Sequence, residues 1–343
     1  MKKSVFFVHI IFALLILLSA CTSAAALPTS IPPTVTETST VVPPTATFTA
    51  VPPTPTATAI PPTPVPLGER STVDRPDDTK GMYQVHVLYV LPSGAKDQQR
   101  DLNGKINKSI EYANNWFYKQ SGGSKIRFDT YQGQLDITFI QLDISSDDIY
   151  QASVATYGGA YWIRDVLEKK LSDMNIFQAG KIYLGLFEID RHPSTCDDAA
   201  HPPDLMGRLA GFYPSAVVEA GWNCFDENGG GNFGAGSTYA DLALIHETAH
   251  LLGFASSCGK NPASADNQSH SGDFNYDLMW APGPNTPSNV YWDTDHMKLD
   301  PGNDDYFKIN IPNCLDLANS AFLDPLPANP ETPPNWPTNW KLP

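Results

Sequence analysis

Residues 243–254 read ALIHETAHLLGF. His246 and His250 are four apart, so on a helix one imidazole stands a turn above the other on a shared face. Two imidazoles so placed can bind one zinc ion through ring nitrogens at about 2.0–2.1 Å. Glu247 is the next residue along, and its carboxylate can reach a water on such an ion and take a proton as the water attacks a carbonyl. The pattern His-Glu-x-x-His is therefore one for metal-assisted hydrolysis, with Glu247 as general base. With eight histidines in the chain, its chance occurrence is on the order of one in a hundred. A catalytic zinc takes three protein ligands, and this stretch supplies two.

The elements that must position these residues follow from pattern. Ser237-Thr238 can cap a helix that starts near Tyr239, runs to Leu252 and stops at Gly253. Leu242, Ile245, Ala249 and Leu252 form its apolar stripe. Upstream, MYQVHVLYVL (82–91) reads as a strand and Asp101 to Gln120 as a helix ended by Gly122-Gly123. KIRFDTYQGQLDITFIQL (125–142) reads as two strands around Gln132-Gly133, Ser146 to Met174 as a second helix, and KIYLGLFEI (181–189) as a strand. Between Asp190 and Tyr239 the chain is loop-rich, with one short edge strand in AGFYPSAVVEA (210–220). ENGGGNFGAGS (227–237) lacks the ending of a phosphate loop and reads as a plain loop into the motif helix. The order of elements gives an α/β layered arrangement.

HETAHLLGF (246–254) resembles the metzincin clan of zinc peptidases, whose helix ends at that glycine so that the chain turns back beneath the metal. That clan also carries a methionine-containing turn under the zinc. SHSGDFNYDLMW (269–280) resembles the segment of bacterial secreted metzincin-like peptidases in which a histidine, an aspartate and then Asp-x-Met follow the helix. The resemblance spans about 240–280. It implies His270 as third ligand, Met279 as the turn methionine and an α/β (α+β) zincin fold. In that fold a mixed twisted sheet with helices and an active-site helix leads into an irregular C-terminal lobe holding the Met-turn. Ser256 stands where the clan usually has its third histidine, and Trp280 follows the methionine. Asp273 is the main rival as third ligand, since a carboxylate can complete a catalytic zinc site, and His296 is a weaker one. Tyr276 and Tyr291 are the candidates for a transition-state donor. Asp273, Asp277, Asp300, Asp304 and Asp305 either hold turns or suit a calcium ion.

The rest of the 343-residue chain sets the context. Residues 1–20 have Lys2 and Lys3 before an apolar run from Val5 to Leu18, as an export signal does. Leu18-Ser19-Ala20-Cys21 resembles the lipobox of bacterial lipoproteins, which implies a lipid on Cys21 as first residue of the mature chain. Residues 21–67 are a Pro/Thr-rich stalk, too poor in large apolar side chains to form a core. Residues 68–343 form the expected peptidase domain: an upper lobe at about 80–253, a lower lobe at about 254–324 and a Pro-rich tail, 325–343, packed through Trp336 and Trp340. The four cysteines after Cys21 read as two disulfides in an exported domain. Neighbours in sequence favour Cys196–Cys224 and Cys258–Cys314 among three connectivities. A formal net charge of −15 with no basic run excludes nucleic acid and anionic lipid as partners, leaving the anchor at Cys21 as the membrane attachment.

These features together point to a zinc-dependent endopeptidase tethered outside a bacterial cell. It would hydrolyse peptide bonds through a zinc-activated water, with its peptide substrate extended along an edge strand. The alternative is a non-catalytic surface adhesin or glycan-binding lipoprotein on a degenerate peptidase fold. A solute-binding lipoprotein of a transporter would account for the anchor and stalk but not for Glu247. Oligomeric state is not legible in the sequence.

Overall fold

The computed structural model describes residues 70–333 apart from 159–162, 191–194, 203, 217–223, 225–232, 254–257 and 282–293. All of them belong to the unit Pro62–Pro343. The export signal, Cys21, the stalk, Ser256, Tyr291, Trp336 and Trp340 lie outside the described residues.

Strand β1 (Gln84–Leu91) is buried along its whole length, as a strand covered on both faces must be. Helix α1 (Lys105–Ser121) begins after Gly104, whose φ of 77° is left-handed, so the helix starts later than the apolar spacing from Asp101 suggests. Gly122, also left-handed, ends it and donates its N–H to the Tyr118 carbonyl. The stretch 125–142 carries β2 (Lys125–Ile126), a small hairpin of β3 (Thr130–Tyr131) and β4 (Gln134–Leu135), and then β5 (Ile137–Gln141). The single helix expected over 146–174 is two, α2 (Ser146–Tyr157) and α3 (Ile163–Asp173). Gly158 turns left-handed between them and breaks the ladder. Strand β6 (Lys181–Phe187) falls where the apolar run placed it.

The region expected to be mostly loop contains a hairpin, β7 (Asp197–His201) with β8 (Leu205–Phe212). The sheet runs β5-β1-β6-β8-β7; all neighbours are parallel except β7, which is antiparallel and lies at the edge. The edge strand here is β7; within the stretch 210–220, where one short edge strand was expected, the chain forms the end of β8, an inner strand that stops at Phe212. A mixed sheet with few helices agrees with the α+β expectation.

Alternation along β1 divides the core. Val87 and Tyr89 face a layer formed by α1 and α4 (Tyr239–Leu251), together with Met279 and Phe322 from the C-terminal segment. Leu88 and Val90 face α2 and α3 through Ile149, Ile163 and Leu167. After α4 come a hairpin of β9 (Pro262–Ser264) and β10 (Asn267–Ser271), and β11 (Leu323–Asp324), which pairs with β2. Disulfides join Cys196 to Cys224 and Cys258 to Cys314. Within the tail, Glu331 is fixed by backbone bonds to Asn319 and Ala321.

Candidate metal centre

The site begins with the start of α4. Asp241 is fully buried, and its carboxylate collects backbone N–H groups: Gly234 on Oδ1 at 2.9 Å, Gly236, Ser237 and Thr238 on Oδ2 at 2.8, 3.0 and 3.2 Å. Ser109 of α1 adds its hydroxyl to Oδ1. Gly234 and Gly236 have positive φ, and a Cβ on Gly234 would lie 2.7 Å from the Lys105 Cβ. The described end of the glycine-rich stretch is thus not a plain loop. It is folded around a carboxylate that answers the unpaired donors of a helix N-terminus and ties α4 to α1.

On α4, His246 and His250 meet His270 of β10. The His250 Nε2 lies 3.1 Å from His246 Nε2 and 3.2 Å from His270 Nε2. His246 donates Nδ1–H to the Leu278 carbonyl at 2.7 Å, and His270 donates Nδ1–H to Asn267 Oδ1 at 2.7 Å. Each is thereby held with an unprotonated Nε2 turned to the common point. Burial keeps the rings neutral: His246 is pushed down to about 4, His270 to about 3 with a further push from the neighbouring imidazoles, and His250 well below the usual range. Tetrahedral zinc with Nε2 ligands at about 2.0–2.1 Å requires nitrogens about 3.3 Å apart. The donor set and its spacing fit such an ion.

Glu247 is 4% exposed and its Oε2 has no hydrogen-bond partner. Burial and then the charges of Asp197 and Asp198 push its carboxyl well above the usual range, against a weaker pull from Arg164. A cavity of about 400 Å³ opens in front of it, lined by the three histidines, Arg164 and Asp165 of α3, and Asp197, Asp198 and His201 of β7. His201 places its ring 6.1 Å from that of His250. The sequence reading missed His201: it comes to the site through β7, and a histidine before two prolines carries no local signal.

The other expected residues fall as follows. Asp273 is not in the histidine group; its Oδ1 accepts from Ser271 Oγ and the Phe274 N–H. His296 is in no cluster of metal-ligand atoms among the described residues, and Tyr276 does not line the cavity. Met279 is fully buried in the core layer that contains α4, with its N–H on Asp277 Oδ1 at 2.6 Å and its carbonyl on the Ser271 N–H at 2.8 Å. Of the carboxylates considered for calcium, Asp300 accepts the N–H groups of Asp304, Asp305, Tyr306 and Phe307, and Asp277 accepts from Tyr306 Oη. Both hold turns. Asp273, Asp304 and Asp305 approach one another closely enough for a cation, with the Lys260 ammonium 3.5 Å from Asp304. A further group, Asp74, His86, Asp129 and Asp136, already contains a cation: Lys181 Nζ is 2.6–2.8 Å from Asp129, Asp77 and Asp74, and Arg75 holds Asp136.

No protein-family model matches the sequence. No curated protein matches it either. Among solved structures, the fold is similar to that of catalytically inactive OgpA from Akkermansia muciniphila in complex with an O-glycopeptide (glycodrosocin) substrate. The TM-score is 0.31 and the identity 17%, over 60% of this chain and 56% of that one. The chain thus spans little more than half of that protein's length.

Proposed function

We propose that this protein is a zinc-dependent endopeptidase of metzincin type, exported and held to the envelope by a lipid on Cys21. The observation that carries the proposal is the convergence of three Nε2 atoms, of His246, His250 and His270, beside a buried carboxylate with a free oxygen. A bound zinc ion would polarise the scissile carbonyl and acidify a water. A dication held by the three neutral imidazoles would lower the carboxyl pKa of Glu247 and favour the ionised form that takes a proton from the attacking water. Glu247 then holds that proton and passes it to the leaving amine. His201 faces the same cavity and serves as N–H donor to the oxygen on which charge develops. Among the described residues no strand pairs with the outer side of β7, and an extended peptide could add there. Met279 and the turn around it support the metal from below, and its neighbour Leu278 supplies the carbonyl that orients His246.

The test is zinc content and peptide cleavage of the full chain beside His270→Ala and Glu247→Gln. One zinc is expected in wild type and in Glu247→Gln, with a clear loss in His270→Ala. Glu247→Gln should lose turnover by about 10²–10⁴-fold. Equal zinc in His270→Ala removes that residue from the ligand set, and wild-type cleavage by Glu247→Gln rejects the mechanism.

A further inference from the structure

The carboxylates of the cavity differ in how they are satisfied. Asp165, together with Glu168 from outside the cavity, grips the buried Arg164 guanidinium. Asp198 accepts a hydrogen bond from Tyr213 Oη at 2.9 Å. The Asp197 carboxylate has neither a hydrogen bond nor an ion pair among the described residues; its main chain pairs with Phe212 and its carbonyl accepts from Thr195 Oγ1. Asp197 lines the cavity with Ala199 and His201 of the same strand. It shares the cavity with Glu247 Oε2, buried and equally without a partner.

Charge sharpens the point. Among the described residues lining the cavity, Asp165, Asp197, Asp198 and Glu247 face one guanidinium, Arg164. Partly buried carboxylates without a counter-charge are costly, and a ligand that brings the missing cation recovers that cost on binding. Arg164 is already held by two carboxylates and has little to offer Asp197.

We infer that Asp197 receives a cationic group of the substrate, an ammonium or guanidinium, beside the scissile bond. The inference rests on the peptidase proposal and names its substrate class: peptides with a positive charge next to the cleaved bond. The charge comes either from a lysine or arginine side chain or from the substrate's own N-terminal amine.

Three peptide hydroxamates of equal length separate these cases when bound to the zinc-loaded full chain and followed by competition anisotropy. One is acetylated and carries norleucine, the second is acetylated with lysine in its place, and the third carries norleucine with a free N-terminus. One cationic probe should bind about tenfold more tightly than the neutral one, a difference of about 1.4 kcal/mol. Which one does so identifies the source. Asp197→Asn should erase the advantage of the cationic probe over the neutral one, both measured on the same variant, and continued binding of the neutral probe shows that the variant is folded. Asp197→Glu should keep part of it. Equal binding of all three probes to wild type, or an advantage that survives in Asp197→Asn, overturns the inference while leaving the peptidase proposal standing. A neutral probe that does not bind at all overturns the zinc proposal and this inference with it.

Discussion

His246 and His270 each commit one ring nitrogen to an oxygen, and that commitment frees the other for a metal. His201 lies outside the histidine group, with its ring hydrogen-bonded to the Ala199 backbone, and is the cavity side chain whose removal should separate binding from chemistry. His201→Ala is expected to retain one zinc and to lower kcat by about 10²-fold with little change in KM, read from steady-state kinetics beside zinc analysis. Substantial zinc loss in that variant would instead make His201 a ligand. The difference in legibility between these residues is one of distance along the chain. His246, Glu247 and His250 sit within one turn, where spacing alone fixes geometry. His270 lies twenty residues beyond His250 and was reached through the resemblance of SHSGDFNYDLMW, not through spacing. His201 and Asp197 arrive through tertiary pairing of an edge strand, which no local pattern encodes.

At the scale of elements, the helix that carries the motif depends on a residue outside it. Asp241 gathers four backbone N–H groups and the Ser109 hydroxyl, so α1, the glycine segment and α4 share one buried anion. Asp241→Ala should cost at least about 2 kcal/mol in urea unfolding, because the buried donors lose their acceptor together. Asp241→Asn should recover part of that cost. A neutral effect of the alanine would mean that water replaces the carboxylate there. Strands β1 and β6 and helix α4 were legible because their apolar patterns are long. Strand β7 was not, since DDAAH combines two aspartates with small residues and has low strand propensity; it is held by pairing with β8. The break at Gly158 was hidden by apolar spacing that continues through both helices.

At the scale of the whole molecule, acidity couples the site to pH. Asp197 and Asp198 are pushed from 3.8 up to about 7, mainly by burial. A carboxyl with a raised pKa in the folded state favours folding while protonated. Its contribution is present below 3.8 and is lost as pH rises through about 7. The histidines act in the opposite sense: the stability from burying them neutral is present above 6.5 and is lost as pH falls through about 4 for His246. Metal-free Asp197→Asn should therefore gain on the wild type as pH rises from about 4 to about 8, measured by denaturant unfolding at both ends. A pH-independent difference would show that Asp197 does not titrate with folding. The Cys258–Cys314 disulfide brackets β9, β10 and the Met279 turn. Replacing both cysteines with serine should cost about 2–5 kcal/mol and weaken zinc affinity through His270, with α4 retained by circular dichroism. Unchanged zinc affinity would show that the turns alone fix β10.

The bond from His246 to the Leu278 carbonyl has a consequence for anyone scanning the protein by mutation. Every amino acid at position 278 brings the same peptide oxygen. Such a scan would score the buried leucine for its packing and remain blind to the acceptor that aims the imidazole. Only altering the main chain itself, by an ester in place of an amide or a shift of the whole turn, would make that contribution visible.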